Sequence, residues 1–521
     1  MNTHFNRVRT PQPKWTIVLL VSAIAVSASE RAAEAAPREQ NALTLMHRQH
    51  NQLNEKFRAE VEQLAQQCEK NGLIEAAQEL RLHAAPIETP LLSVELLPSQ
   101  VRPEIPQSLL GPERAVRIQL RNLQRELAKK LYLLSRKVLY GGSATFAYRL
   151  LRETAHHDPD HKAARRLLGF VRHGNEWVTP FEAKMSREKN IWHDSFGWLP
   201  KNHVERYEQG QRYFNRRWIT SAQEAEIRRD FRHAWEVRTE HYLVKTNHSL
   251  ERGVEIARKL EDFHDFFTQA FAAFFSSPEQ LQKLFQGSSR AGRPMVKADP
   301  YEVHYYRTQA EYNRRLISKI PLIEVTNGLY YTTDRIAYFF FNETVEGDAT
   351  LYHEATHQLL YESSGRDRSI GETNNFWIIE GIACYMESFE NRGGQFRVGD
   401  PDYDRFVAAR YRFLVDGYHV PLGQLSQMSM LEFQNDSINL SKNYSLASGL
   451  AHFFMHYNNG KYRDALIEHL SQLYDENPRV RRGTRSLEQL TGVAFSELDD
   501  QYGKYLKSLD AKHQSDLIPA D

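Results

Sequence analysis

The chain has 521 residues, enough for two or three domains at about 100–200 residues each. Hydrophobic residues make up 41% and charged residues 26%, as in ordinary soluble globular proteins. The 67 basic and 66 acidic side chains nearly cancel, so we expect no nucleic-acid partner. The two cysteines, Cys68 and Cys384, exclude a disulfide framework.

Residues 1–36 have the pattern of an export signal. A basic start precedes an almost entirely apolar run at 15–26, and small residues follow at 27–28 and 35–36. The run is shorter than the roughly 20 residues that a transmembrane helix needs. We therefore expect an exported protein, periplasmic or extracellular. The alternative is an uncleaved N-terminal segment that anchors the chain to a membrane.

Residues 37–143 are predicted to form a helical N-terminal region. Apolar side chains recur at helical spacing through 40–84, and a second helix is expected over 115–139. Between them, the stretch from Pro86 to Pro112 carries six prolines and is typical of a linker or an extended loop.

Residues 144–235 combine a helix pair, at 144–168, with a short internal repeat. Trp177 and Trp218 each precede a threonine that lies three residues before a Glu or Gln, which is the capping-box spacing. We predict two copies of a strand that turns into a helix. The tryptophans are interpreted as buried packing anchors, with a binding role as the alternative.

Residues 240–510 are predicted to form an α+β domain, because strands come first and helices follow. The apolar run 336–341 is interpreted as an edge strand, and everything after it is expected to be helical. The other predicted elements are strands at 241–247 and 301–306, one or two strands within 328–341, and helices at 249–275 and 308–317.

A His-Glu-x-x-His motif begins at His353. Residues i and i+4 stack on one face of a helix, so His353 and His357 can reach one metal ion. Glu354 lies beside that face, where its carboxylate can reach a water next to the metal. Catalytic zinc takes three protein ligands, so a third is expected downstream.

Glu380 is the candidate for the third ligand. It lies 23 residues after His357 and near the start of a second predicted helix. Gly381 and Ala383 are small enough to let two helices approach closely. The alternative is that Glu380 is a solvated residue in the first turn of that helix.

The pattern His-Glu-x-x-His followed by Glu-Gly-x-Ala resembles the gluzincin metallopeptidases of the peptidase MA type. It also resembles a family of large exported bacterial proteins whose peptidase-like C-terminal domain has no assigned function. This second resemblance covers roughly residues 145–505. It rests on Trp177-Val178-Thr179, Phe196-Gly197-Trp198, Thr246-Asn247, Leu260-Glu261, Val303-His304-Tyr305-Tyr306, Tyr312 and Gly328-Leu329-Tyr330.

The resemblance implies a small mixed sheet, an active-site helix and a helical C-terminal subdomain over 240–510. It also implies Zn²⁺ held by His353, His357 and Glu380, with Glu354 as general base. Tyr444 is the implied donor to the oxyanion, with His452 as runner-up and simple packing of Tyr444 as the alternative.

One position departs from the gluzincin pattern. Many gluzincins carry an acidic residue four positions after the third ligand, where this chain has Cys384. Glu387 is the nearest carboxylate and is the candidate substitute for supporting a histidine ligand.

The function expected from the sequence is an exported zinc metallopeptidase that cleaves a peptide or protein substrate. The alternative is a catalytically inactive metallopeptidase fold that acts as a binding or scaffold module. Neither the substrate nor the oligomeric state follows from the sequence.

Overall fold

The protein is described here by a computed structural model, and its fold is a mixture of helices and sheets. For residues 16–42, 278–279, 284 and 512–516 only the backbone is described. The described residues are 16–84, 92–97, 99, 105–109, 111–276, 278–286, 299–321, 323–342, 347–363, 370–435, 437–475 and 477–516.

The N-terminal region is helical, as its apolar spacing predicts. Its helices and the first helix of the following pair share a core that includes Val61, Leu131 and Leu150. Residues 1–15 of the predicted export signal lie outside the described residues. The elements are α1 (Thr16–Lys70), α2 (Ile74–Ala84), β1 (Leu92–Glu95), α3 (Gly111–Tyr140), α4 (Ala144–His157) and α5 (Lys162–Leu167).

The tryptophan module contains three β-hairpins, each followed by a helix, where the sequence predicted two strand–helix copies. Both predicted capping boxes are present, at Thr179 with Glu182 and at Thr220 with Gln223. The middle unit has Pro200 before its helical turn and therefore lacks the signature. The elements are β2 (Val171–His173), β3 (Glu176–Val178), α6 (Pro180–Arg187), β4 (Asn190–His193), β5 (Gly197–Pro200), α7 (Val204–Glu208), β6 (Gln211–Phe214), β7 (Arg217–Thr220) and α8 (Ser221–Arg228).

A five-stranded mixed sheet follows, in the order β11 (Gly328–Tyr331), β12 (Ile336–Phe340), β10 (Tyr301–Tyr306), β9 (Tyr242–Thr246) and β8 (Trp235–Arg238). Its central strands are parallel, and the two outer strands pair antiparallel with their neighbours. The elements are β8 (Trp235–Arg238), β9 (Tyr242–Thr246), α9 (Leu250–Ala270), α10 (Ala272–Phe275), α11 (Pro278–Phe285), β10 (Tyr301–Tyr306), α12 (Gln309–Leu316), β11 (Gly328–Tyr331) and β12 (Ile336–Phe340).

The prediction that the apolar run 336–341 is an edge strand was wrong. β12 lies between β10 and β11, and β11 forms the edge. A tight turn through Arg335, at φ 59°, reverses the chain between β11 and β12, so that β11 pairs along one edge of β12. β12 is therefore an inner strand, and residues 337–340 are buried on both of its faces, which agrees with its continuous run of apolar residues.

The C-terminal part is mainly helical. Its elements are α13 (Ala349–Glu362), α14 (Phe376–Met386), β13 (Glu390–Arg392), β14 (Gln395–Val398), α15 (Asp404–Leu414), α16 (Leu422–Leu425), α17 (Met430–Gln434), α18 (Leu440–Gly460), α19 (Arg463–Leu473), α20 (Pro478–Arg482), α21 (Leu487–Thr491) and α22 (Phe495–Asp516).

The expectation of helices alone after Phe341 was wrong at one place. β13 and β14 form a hairpin, and β1 of the N-terminal region adds a third antiparallel strand to it. Part of the proline-rich stretch is therefore a strand and not a linker. Ser143 of the N-terminal region also donates a hydrogen bond to Asp464 in α19, at 3.0 Å.

The helix α14 lies at the centre of the main core, and all its residues are buried. In the part of the chain that the structure describes, no helix is long and apolar enough to cross a membrane. Cys68 and Cys384 are both buried, and neither forms a disulfide.

Candidate metal centre

The helix α13 presents two imidazoles on one face. The Nε2 atoms of His353 and His357 are 3.2 Å apart, and the two rings are nearly perpendicular, at 70°. Both side chains are partly exposed, at 15% and 19%. The i, i+4 spacing therefore brings the two nitrogens together as the motif predicts.

The third group, Glu380, comes from α14. Its Oε2 lies 3.5 Å from Nε2 of His353 and 3.7 Å from Nε2 of His357. The side chain is 9% exposed, so the alternative of a solvated first-turn residue does not hold. The structure thus joins all three predicted ligands in one group that can hold a metal ion.

The spacing of these three ligand atoms suits a metal ion with tetrahedral coordination. Zinc bonds of about 2.0–2.2 Å at tetrahedral angles place neighbouring ligand atoms about 3.3–3.6 Å apart. The three observed separations, 3.2, 3.5 and 3.7 Å, bracket that range. The residues present therefore fit a His₂Glu site, a donor set that in catalytic zinc sites leaves the fourth position for water or substrate.

Gly381, next to Glu380 in α14, lies in close contact with the backbone of α18. A Cβ at Gly381 would lie 2.7 Å from the carbonyl oxygen of Ala447 in α18. The close helix approach predicted from Gly381 is real, and this contact is made with α18. Glu380 is therefore held by a contact between α14 and α18 that only glycine allows.

The charges of the ligands support one another. Burial favours neutral Glu380, but His357 and His353 outweigh it and hold the pKa of Glu380 well below its usual range. Burial likewise opposes a charged His353, but hydrogen bonding to Cys384, Glu380 and Glu387 raises the pKa of His353 well above its usual value. The site is thus built around an ionised carboxylate that attracts positive charge.

Glu354 lies outside the group of ligand atoms, as predicted. Its Oε2 accepts a hydrogen bond of 2.7 Å from the backbone N–H of Tyr330 in the edge strand β11. This bond fixes the orientation of the carboxylate between α13 and β11. Glu354 is therefore a positioned base candidate and not a fourth ligand.

Glu387 takes the supporting role for which it was the candidate. Its Oε1 lies 2.9 Å from Nδ1 of His353, and its side chain is 7% exposed. An ionised carboxylate only accepts, so Nδ1 of His353 is the donor and Nε2 is the nitrogen left to bind a metal. The carboxylate thus comes seven residues after Glu380, at the end of α14.

Tyr444 lies beside the site on α18, and its ring packs edge-on against Phe433 at 5.4 Å. Burial and then the Glu380 carboxylate raise the pKa of Tyr444 above its usual value. The phenol therefore keeps its proton near neutral pH and can donate a hydrogen bond.

His452, the runner-up to Tyr444, has a different role. Its Nε2 donates to the carbonyl oxygen of Gly399 at 3.1 Å, and Nδ1 accepts from the Tyr505 hydroxyl at 2.9 Å. Burial lowers the pKa of His452 to about 4. Both nitrogens are satisfied inside the core, so His452 does not serve the site.

A second histidine–carboxylate cluster joins His241, directly before β9, to Glu261 and His264 in the second half of α9. Glu261 accepts from Nδ1 and from the backbone N–H of His241, both at 2.7 Å. His264 stacks on His241 with ring centroids 3.8 Å apart and planes 19° apart. Lone pairs in two nearly parallel planes cannot both point at one ion, so this cluster anchors the turn before β9.

The comparison with known families covers the C-terminal site. Residues 348–479 match the profile of the family described as "Protein of unknown function (DUF1570)". This segment contains Glu354 and Tyr444 as well as the three candidate ligands. No curated protein matches the chain.

Proposed function

We propose that the protein is a zinc-dependent metallopeptidase of the gluzincin type, acting on a peptide or protein substrate. The observation that carries the proposal is the meeting of three ligand atoms at tetrahedral spacing, with Glu354 beside them and outside their group. Two imidazoles, one carboxylate and a separate carboxylate base form the set that metal-assisted hydrolysis of an amide requires.

Zinc bound there would supply a Lewis acid that polarises the scissile carbonyl and lowers the pKa of water. Glu354 takes the proton from the attacking water and passes it to the leaving amine. Its bond to the N–H of Tyr330 uses Oε2, which holds the plane of the carboxylate during both transfers. Tyr444 donates its phenolic hydrogen to the oxygen on which negative charge develops.

Hydrolysis of an unstructured protein substrate tests the proposal. We expect the wild-type protein to cleave it, and Glu354→Gln to keep zinc and the fold while activity falls by ~10²–10⁴-fold. Glutamine keeps the size and one acceptor oxygen of the side chain but removes the base. Glu468→Gln, which alters an exposed residue of α19, is the matched control and should remain active.

Two outcomes would contradict the proposal in different ways. An active Glu354→Gln variant would place the proteolysis in a contaminant or another site. A wild-type protein that binds zinc but cleaves no member of a broad peptide library would be a binding or scaffold module that keeps the metal centre.

A further inference from the structure

We propose that Arg405 is a positioning residue for the metal centre, acting on His353 through Glu387. The inference rests on the proposed zinc site. It assigns a role to a side chain that lies outside both the His-Glu-x-x-His motif and the Glu-Gly-x-Ala motif. Arg405 lies in the first turn of α15, 18 residues after Glu387.

The contact is bidentate. Nε of Arg405 donates to Oε2 of Glu387 at 2.7 Å, and Nη2 donates to Oε1 at 2.9 Å. A planar guanidinium that grips both carboxylate oxygens fixes the plane as well as the position of the carboxylate. Oε1 of Glu387 is thereby held 2.9 Å from Nδ1 of His353.

Glu387 needs such an anchor because of its place in the chain. It caps the C-terminal end of α14, where the helix itself restrains a side chain less than in its interior. Its carboxylate is nevertheless buried, and a buried carboxylate is unfavourable unless it is paired and hydrogen-bonded. Arg405 supplies both, while its own side chain stays 42% exposed.

Cys384 explains why the contact lies here. It occupies the position one turn after Glu380, is fully buried, and lies with Glu387 around His353. A thiol is a weak acceptor and cannot orient an imidazole as a carboxylate does. The carboxylate that orients His353 therefore comes from Glu387, three residues further along, where Arg405 holds it.

The test is zinc affinity, measured by chelator competition on the metal-free full-length protein. We expect Arg405→Met to weaken zinc binding by about 10- to 100-fold, the usual effect of removing an outer partner of a metal ligand. Arg405→Lys should recover part of the affinity, because lysine keeps the charge but loses the two-pronged geometry.

Two controls separate positioning from loss of stability. Arg412→Met removes an arginine from the same helix whose partner is Asp416, and it should bind zinc normally. Phe406→Leu alters the adjacent buried ring, which packs on His452, and should lower the melting temperature without changing zinc affinity.

A double-variant cycle tests whether Arg405 acts through Glu387. In a Glu387→Gln background, Arg405→Met should weaken zinc binding by no more than about twofold further. An Arg405→Met protein with wild-type affinity would overturn the inference while leaving the metal centre intact. An equal loss with and without Glu387 would also overturn it. A wild-type protein that binds no zinc would overturn both this inference and the proposed function.

Discussion

Tyr444 is the residue of the site whose role depends most on its surroundings. Its ring packs against Phe433, while burial and then the Glu380 carboxylate raise its pKa. We expect Tyr444→Phe to keep zinc and to lower kcat/KM by roughly 10²-fold, as for loss of one oxyanion donor. Kinetics alongside zinc content and thermal unfolding check this. A fully active Tyr444→Phe variant would leave Tyr444 a packing residue.

At the scale of single residues, local spacing made the ligands predictable. His353 and His357 are one helical turn apart, so their convergence needs no knowledge of the rest of the fold. Glu387 could be proposed as a nearby carboxylate, but Arg405 could not, because its contact depends on how α15 returns to the end of α14. The prediction that His452 could replace Tyr444 as the donor was wrong, because position on a helix face does not show what surrounds a side chain.

The contact between α14 and α18 gives a prediction at the scale of elements. In Gly381→Ala the new methyl would meet the backbone of Ala447, which cannot rotate away as a side chain could. We expect a loss of about 1–3 kcal/mol in unfolding free energy, typical of overpacking, and weaker zinc binding because Glu380 shifts.

Denaturant unfolding and zinc titration measure the two effects of Gly381→Ala. Gly111→Ala is the control, since a Cβ there meets nothing within 4 Å. A Gly381→Ala protein as stable as the wild type, with unchanged zinc affinity, would show that α14 and α18 have room to separate.

Local sequence signals predicted some helices and strands, while other elements were missed. Both threonine capping boxes were found, because their spacing is a local signal. The hairpin β13–β14 was missed although Gly393-Gly394 connects its strands, a two-residue turn signal flanked here by polar side chains. The pairing of β1 with β14 joins segments about 300 residues apart, which no local pattern encodes.

At the scale of the whole molecule, we propose that the chain is exported. The proposal rests on the basic start, the short apolar run and the small residues within 1–36. Residues 1–40 fused to a reporter should carry it out of the cytoplasm, and the mature chain should begin after Ala28 or Ala36. N-terminal sequencing checks the cleavage point.

A reporter that stays in the cytoplasm would contradict export. Intact Met1 recovered in the membrane fraction would instead support the anchored alternative. A version with the apolar run interrupted by two charged residues is the matched control and should remain in the cytoplasm.

The metal content of the purified full-length protein tests the central claim most directly. The geometry of His353, His357 and Glu380 predicts about one zinc per chain. Elemental analysis should show a strong loss in His353→Ala, His357→Ala and Glu380→Ala and near-complete loss in the double histidine variant. Stoichiometric zinc in a folded His353→Ala/His357→Ala protein would contradict the account.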